Sequence, residues 1–298
     1  MRITNNTIAD NIVSQIQNLG QQQAKWQNQV STGQRIFQPE DDPAAVGRVL
    51  NLQTEQRNLA QFQGNAAHAL EVSQASFSGL QAIKTISDRA TQIGTLGSGA
   101  LNSSQTQAYA SEVNQLLEQT LQTANSKFGN DYLYGGTVVS TPPFVATRDA
   151  QGNITGVSYA GNATQAGVPI SETATITPNT DGATNASFAS FMNNLVSLRD
   201  ALNTGNTATI QSTQTNLVNN EDTLVSAIAE NGGVQSRIEA TQSQQQDRST
   251  DLTKLVSNET DVDMPSTIVK LTQTQTAYQA ALQSAASIMK MSLLDYIQ

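Results

Sequence analysis

The chain contains no cysteine and a single histidine in 298 residues, and these two absences exclude much of enzyme chemistry. Without cysteine there is no disulfide, no thiolate nucleophile and no cysteine-ligated zinc. Nucleophile–base pairs and histidine-rich metal sites are nearly excluded as well. The only histidine, His68, lies among alanines in a helical pattern, and we interpret it as structural. We therefore predict that the protein is not an enzyme and uses no cofactor and no metal.

Charged and aromatic residues are scarce. Charged residues make up 13% of the chain and aromatic residues 5%, whereas soluble domains carry about a quarter charged residues. Glutamine and asparagine together supply about a fifth of the sequence. This composition argues against one large globular core and favours several modest apolar interfaces. The net charge of −9 argues against a nucleic-acid partner, which would need a basic surface.

Long apolar runs are absent too. No segment approaches the run of about 18 apolar residues that a membrane span requires, so we expect no membrane insertion. The first residues have neither the apolar centre nor the small-residue cleavage site of a signal peptide. If the chain is exported, we expect a route that uses no cleavable signal peptide.

Both terminal segments combine heptad spacing with little charge. Residues 1–38 contain four charged side chains and residues 264–298 contain three. Apolar residues follow an a/d pattern with Gln23 and Gln275 as polar layers, and this pattern alone indicates only a local coiled coil. Neutral side chains beside the stripe favour burial against other subunits, because no charge is desolvated. The predicted coiled-coil and subunit interface consists of Ile12, Ile16, Leu19, Trp26, Val30, Ile268, Leu271, Tyr278, Leu282, Ala285, Met289, Leu293 and Leu294.

Helix start and stop signals divide the remaining chain. Gly33 suits a left-handed helix end, and Asp42 and Pro43 suit the N-cap and first residue of the next helix. Long helical patterns follow, the third from about residue 104 to 128. Residues 137–185 are instead rich in Gly, Pro, Thr and Val and contain a hairpin signal.

The order of these segments predicts the fold. A low-charge helix, long helices and a β-rich insert are followed by long helices and a second low-charge helix. We predict a mainly α fold, an elongated antiparallel helical bundle or coiled coil with paired terminal helices and a small β-rich inserted domain. Residues 1–40 with 260–298 would form the assembly core, 41–136 with 186–259 the long-helix bundle, and 137–185 an outer insert. We expect that the helical core does not need the insert.

Two acidic groups deserve an interpretation. Asp261 and Asp263 lack further oxygen ligands at loop spacing, so we interpret them as capping a helix N-terminus rather than binding a cation. We interpret Glu40, Asp41 and Asp42 as a cluster that caps the next helix and interacts favourably with its dipole. Because we expect these residues to be exposed, a contact with another subunit remains an alternative.

Short motifs add specificity beyond the heptads. Met1-Arg-Ile-Thr-Asn-Asn6, Ser31-Thr-Gly-Gln-Arg-Ile36 and Asp41-Asp-Pro43 resemble the opening of the bacterial flagellin superfamily. Filament flagellins usually have alanine where this chain has Pro43. Asp131-Tyr-Leu-Tyr-Gly-Gly-Thr137 and Ser292-Leu-Leu-Asp-Tyr-Ile297 are similar to the superfamily's hook-associated junction proteins. The resemblance covers both ends and the helical middle, and leaves only the insert unmatched.

This resemblance implies a structural part of the flagellum that joins hook to filament and polymerises through its terminal helices. It implies as partners copies of the chain in a ring, a neighbouring hook-associated protein, the flagellin of the filament and a cytoplasmic export chaperone. It also implies an extracellular location reached through the flagellar type III export channel. A filament-forming flagellin remains an alternative, as does a surface binding module carried by the insert, although an insert of that size is small for an active site.

Overall fold

The computed structural model describes the backbone of residues 2–99 and 102–297, and the side chains of residues 10–99 and 102–287. The described helices are α1 (Arg2–Thr32), α2 (Pro43–Gly97), α3 (Ser103–Ala124), α4 (Gly182–Thr204), α5 (Thr207–Thr260) and α6 (Met264–Ile297). The strands are β1 (Lys127–Phe128), β2 (Asp131–Tyr132), β3 (Phe144–Arg148), β4 (Ile154–Tyr159), β5 (Val168–Pro169) and β6 (Thr175–Ile176). Consecutive strands pair as three antiparallel two-stranded sheets. The prediction of a mainly α fold with a small β-rich insert is confirmed.

Local capping sets several helix boundaries. The Asn102 side chain accepts from the backbone N–H of Gln105, and the Gln105 side chain accepts from Asn102 in return, which starts α3. Asp181 caps α4 by accepting from Thr184 N–H at 2.7 Å. Gly205 ends that helix with a φ of +68°, in the left-handed region that glycine adopts without strain.

Helix α3 ends earlier than the sequence pattern predicted. The predicted end near residue 128 is wrong, because Phe128 lies in strand β1. Asn125 exchanges two hydrogen bonds with the backbone of Phe144, at 2.9 and 3.0 Å. This pairing satisfies the N–H and carbonyl groups of Phe144, which a continued helix would not reach. The chain therefore turns at Asn125 instead of continuing as a helix.

The chain divides into two compact units, which are described separately. The terminal unit comprises residues 1–57 and 249–298, and the central unit comprises residues 58–248. The three-part division inferred from the sequence stays a prediction.

The central unit has an aromatic centre within a core of aliphatic side chains. Tyr134 meets Phe188 edge-on with ring centroids 5.7 Å apart, and Phe144 packs against both Phe188 and Tyr159. Such arrangements add to the burial energy of large rings. Helices α2, α3, α4 and α5 surround this centre with buried residues that include Leu80, Ile83, Ile93, Leu117, Met192, Leu195, Leu198, Ile210 and Leu217.

The β-rich insert is part of this core. Phe144, Ile154 and Val157 of the β3–β4 hairpin are buried in the same apolar cluster as the helices. Asn193 of α4 also exchanges two hydrogen bonds of 2.9 Å with the backbone of Val157. The expectation that the helical core does not need the insert is therefore wrong. Its buried apolar residues are few, and Ile154 and Val157 are three positions apart across a register irregularity of the hairpin, so no two-residue alternation marked them in the sequence.

The β5–β6 hairpin forms a second, smaller cluster with α2 and α5. Ile170 and Ile176 are buried there against Ala66, Ala69 and Ile238. The carbonyl of Ile170 accepts from the Gln245 side chain at 2.6 Å, and that of Pro169 accepts from Asn65 at 2.8 Å. The insert is thus attached to the helices at two places.

A close approach in the central unit explains part of the motif at residues 131–137. The buried Tyr134 hydroxyl donates to the carbonyl of Ser76 in α2 at 2.8 Å. A Cβ at Gly79, one turn further along α2, would lie 2.3 Å from that hydroxyl oxygen. Glycine at position 79 therefore makes room for the tyrosine.

We expect Gly79→Ala to lower the free energy of unfolding by about 1–3 kcal/mol, because Tyr134 must shift. Gly64→Ala is the matched control in the same helix. A Cβ there meets no atom within 4 Å, so we expect a gain of about 0.5–1 kcal/mol from helix propensity.

The double variant Gly79→Ala/Tyr134→Phe removes the clashing oxygen as well. Its loss in urea unfolding should be smaller than the sum of the two single losses, by about 1 kcal/mol. Additive losses would show that the tyrosine hydroxyl does not constrain position 79.

Candidate subunit interface

Helices α1 and α6 pack against each other in the terminal unit. On α1, the predicted residues Ile12, Ile16, Leu19, Trp26 and Val30 are all half-buried, and Gln23 lies on the same stripe. On α6, a heptad stripe of buried or half-buried residues consists of Thr267, Leu271, Thr274, Tyr278, Ala281 and Ala285. This contact is named the seam.

The seam is narrow, and it contains polar side chains whose hydrogen bonds are formed locally. The buried Thr274 hydroxyl donates to the carbonyl of Lys270 in its own helix at 2.8 Å. A Cβ at Gly20 would lie 3.8 Å from the Tyr278 ring, in ordinary contact. The Lys270 ammonium lies 5.1 Å from the centre of the Trp26 ring, within cation–π range. The seam therefore holds no unpaired charge among its described residues.

The structure leaves other predicted interface residues outside the seam. Ile268 is 47% exposed and Leu282 is 44% exposed, with the exposed Gln275 midway between them. These three residues form a flanking stripe on α6, beside the seam rather than within it. The predicted Met289, Leu293 and Leu294 lie outside the described side chains. As subunit contacts, all of these residues stay predictions.

Exposed apolar side chains are concentrated in the terminal unit. It holds eight of the twelve large apolar residues that are exposed in the described part of the chain. They are Val13, Phe37, Leu50, Leu255, Met264, Ile268, Val269 and Leu282. The central unit, with more than twice as many described side chains, contributes only Leu96, Val145, Val218 and Val225. This concentration makes the terminal unit the candidate interaction surface.

Residues 33–42, here called the connector, join α1 to α2 and are held on both sides. Gly33 leaves α1 with a φ of +73°, as its sequence position predicted. The Gly33 carbonyl accepts from Val262 N–H at 2.9 Å, and Arg35 N–H donates to the Thr260 carbonyl at 2.7 Å. The Gln29 side chain of α1 donates to the Arg35 carbonyl at 2.9 Å. The connector is thus tied to α1 and to the segment between α5 and α6.

The acidic residues of the connector are the acceptors that shape it. One Asp41 oxygen accepts from the N–H groups of Phe37 and Gln38 at 3.0 and 3.1 Å, and the other accepts from Lys25 at 2.8 Å. Asp42 accepts from Ala45 N–H at 3.0 Å directly before Pro43, the first residue of α2. Both carboxylates thus order local backbone.

A group of paired charges surrounds these acceptors. Arg35 donates to Asp42 at 3.1 Å and to the Glu259 carbonyl at 2.9 Å. Arg48 forms a bidentate pair with the Glu259 carboxylate at 2.9 and 2.8 Å. Sequence reasoning missed Arg35, Arg48 and Glu259, since no local pattern links residues more than 200 positions apart. The surrounding segments contain few charged residues, so the few that are present stand out. This scarcity is the signal that could have drawn attention to Arg35, Arg48 and Glu259.

These contacts shift the acid–base properties of the carboxylates. The hydrogen bond from Lys25, together with the N–H groups of Phe37 and Gln38, lowers the pKa of Asp41 to about 2. The Ala45 N–H and then Arg35 lower the pKa of Asp42. The Arg48 hydrogen bond lowers the pKa of Glu259. Stabilisation of the charged forms is the common cause.

The described residues give little support for catalysis, metal binding or membrane insertion. No three His, Cys, Asp or Glu side chains among them lie together as a metal site. Asp261 accepts from the hydroxyls of Ser257 and Thr260, and the Asp263 carbonyl accepts from Thr267 N–H at 2.9 Å. His68 lies beside the Phe128 ring, with centroids 5.9 Å apart. No helix, over its described length, is apolar enough to cross a membrane.

The connector should open in acid at an unusually low pH. A carboxylate with a lowered pKa stabilises the folded state fully above its unfolded pKa of about 4, and this contribution is lost as pH falls towards 2. We expect the amide proton shifts of Phe37 and Gln38 to titrate with a midpoint near 2 by NMR. In Asp41→Asn this step should vanish. A midpoint near 4 in the wild-type chain would contradict the arrangement.

Comparison with known proteins finds similar flagellar proteins. The family model of the bacterial flagellin N-terminal helical region matches residues 3–138. Flagellar hook-associated protein 3 of Salmonella typhimurium is 26% identical over 314 residues, covering 99% of each chain. The Escherichia coli protein of that name is 24% identical over 295 residues, covering 92% of this chain and 93% of the other.

A solved structure, FlgL of Bacillus cereus, supports the fold. It superposes with a TM-score of 0.60 at 19% identity, covering 70% of this chain and 99% of the other. The family model spans residues 3–138 and therefore includes the motifs at residues 31–43. The chain is similar over nearly its whole length to flagellar hook-associated protein 3, and this similarity, with the family-model match, supports a flagellin-like structural component of the bacterial flagellum rather than an enzyme.

Proposed function

We propose that this chain joins the flagellar hook to the filament and assembles through its terminal unit. The observation that carries the proposal is the concentration of exposed apolar side chains in that unit, five of them on α1 and α6, which are almost free of charge. Apolar and neutral surface can be buried between subunits without desolvating charge. Residues 1–40 with 260–298 are the assembly core in this proposal, 41–136 with 186–259 the long-helix bundle, and 137–185 the outward insert.

The partners follow from that position. Copies of the chain form a ring, which contacts a neighbouring hook-associated protein on one side and the flagellin of the filament on the other. The full-length similarity to two hook-associated proteins supports this assignment. Alanine is usual in filament flagellins at the position of Pro43, which favours a junction protein over a filament subunit.

Export requires the same surface to be protected before assembly. Ile268, Val269 and Leu282 would expose apolar patches on α6 in the cytoplasm, and such patches promote aggregation. A cytoplasmic chaperone that covers α6 until export would prevent this. We propose that the chain then passes through the flagellar type III channel without cleavage of a signal peptide.

Deletion of the gene tests the assignment. We expect cells with hooks but without attached filaments by electron microscopy, and flagellin lost to the medium. The wild-type gene supplied on a plasmid should restore filaments. Intact filaments in the deletion strain would contradict a junction role, and shortened or sparse filaments would indicate a filament subunit.

Leu282→Lys tests whether the flanking stripe is buried on assembly. The side chain is 44% exposed in the monomer, so the variant should fold with normal circular dichroism. Burying an unpaired lysine costs on the order of several kcal/mol, and we expect at least a tenfold loss of incorporation into flagella.

Val218→Lys is the matched control, because Val218 is 45% exposed on a helix of the central unit. It should be exported and incorporated normally. Immunoblots of culture medium and sheared flagella separate failed export from failed assembly. Normal incorporation of Leu282→Lys would show that this face of α6 stays exposed.

A further inference from the structure

Phe37 is the most unusual exposed side chain of the terminal unit. Its ring is 50% exposed at the middle of the connector, whereas the adjacent Ile36 is half-buried. Aromatic side chains in such positions are often the residues that dominate binding energy at an interface.

The backbone around Phe37 is already fixed in the monomer. Asp41 accepts from the N–H groups of Phe37 and Gln38, and Asp41 N–H donates to the Gln38 carbonyl at 3.0 Å. Arg35 is fixed from both sides, through its N–H and its carbonyl. An aromatic ring on an ordered loop loses little conformational entropy when a partner binds.

Phe37 lines an open groove of about 550 Å³ between α1 and the connector. Gln21, Ala24, Asn28 and Gln38 also line this groove. Its two cations are paired, Lys25 with Asp41 and Arg35 with Asp42. The groove is therefore neutral, with one large apolar side chain at its edge.

The flanking stripe of α6 has the matching properties. Ile268, Gln275 and Leu282 recur every seven residues on one side of the helix and carry no charge. The only charged residue between positions 264 and 287 is Lys270, which lies over Trp26. A neutral stripe can enter a neutral groove without leaving an unpaired charge.

Groove and stripe are different surfaces of one unit. A contact between two different surfaces of identical chains is heterologous, and repeating it produces a ring or a helical array. A contact of Phe37 with its own equivalent would instead close a dimer. We infer that Phe37 is the anchor of a contact between copies, in which the groove of one copy receives the α6 flanking stripe of the next. This inference rests on the proposed assembly through the terminal unit.

Crosslinking tests the contact directly, because the natural chain has no cysteine. One tagged copy carries Gln38→Cys, which leaves Phe37 in place. A second, differently tagged copy carries Ile268→Cys, Gln275→Cys or Leu282→Cys. Both are expressed in the deletion strain, and isolated flagella are treated with a short bismaleimide. We expect a doubly tagged species for at least one of the three stripe positions.

A mixture of Gln38→Cys with Val218→Cys is the control and should give no doubly tagged species. If flagella assemble with both copies incorporated and no stripe position crosslinks, the inference is overturned. Crosslinks of Gln38→Cys only to its own equivalent, or only to another flagellar protein, overturn it as well. If the wild-type chain does not restore filaments to the deletion strain, the proposed function itself fails.

Phe37→Ala measures the contribution of the ring. We expect at least a tenfold lower incorporation into flagella with normal export, as for a central aromatic contact. Val225→Ala removes a similarly exposed apolar side chain of the central unit, outside the groove, and should change incorporation less than twofold. Equal incorporation of Phe37→Ala and the wild-type chain would show that Phe37 is not an anchor.

Discussion

The neutrality of the terminal helices is the constraint on which the rest of the proposed assembly surface depends. A charge buried between protein surfaces without a partner costs several kcal/mol, whereas amide and hydroxyl groups can be satisfied locally. Thr274 satisfies its hydroxyl within α6, and Lys270 places its ammonium over the Trp26 ring. The seam can therefore be surrounded by other chains without a change in its own contacts.

The charges that the terminal unit does retain have a different task. Several of them lie around the connector, where Lys25, Arg35 and Arg48 each have a carboxylate partner. Exposed ion pairs contribute little to stability one by one, but these pairs and the backbone hydrogen bonds of Asp41 fix the path of a loop. The two features are thus complementary. The neutral helices provide surface that a partner can bury, and the ordered connector provides a loop of fixed shape at the edge of that surface.

The central unit is stabilised in the more usual way, by an apolar core with aromatic rings at its centre. Its insert is not an independent addition, because Phe144 and Ile154 complete that core. With few exposed apolar residues among its described side chains, the central unit is suited to remain in contact with solvent. The two units differ in role because the central unit buries its apolar surface within the chain, whereas the terminal unit leaves apolar surface exposed for a partner.

The sequence by itself determined the features that depend on local or periodic signals. Heptads and low charge predicted the pairing of α1 with α6, and glycine chemistry predicted the end of α1 at Gly33. Motifs predicted the family. All five predicted seam residues of α1 lie where periodicity placed them, because one stripe there is clearly more apolar than its neighbours.

Only the tertiary structure decided which stripe of α6 faces α1. Two adjacent stripes are similarly apolar, and packing against Gly20 brings Tyr278 inward while Ile268 and Leu282 stay exposed. The pairing of Arg48 with Glu259 and the burial of the insert were likewise beyond sequence reasoning. Each depends on residues that are distant along the chain, and such contacts leave no periodic signal in a single sequence.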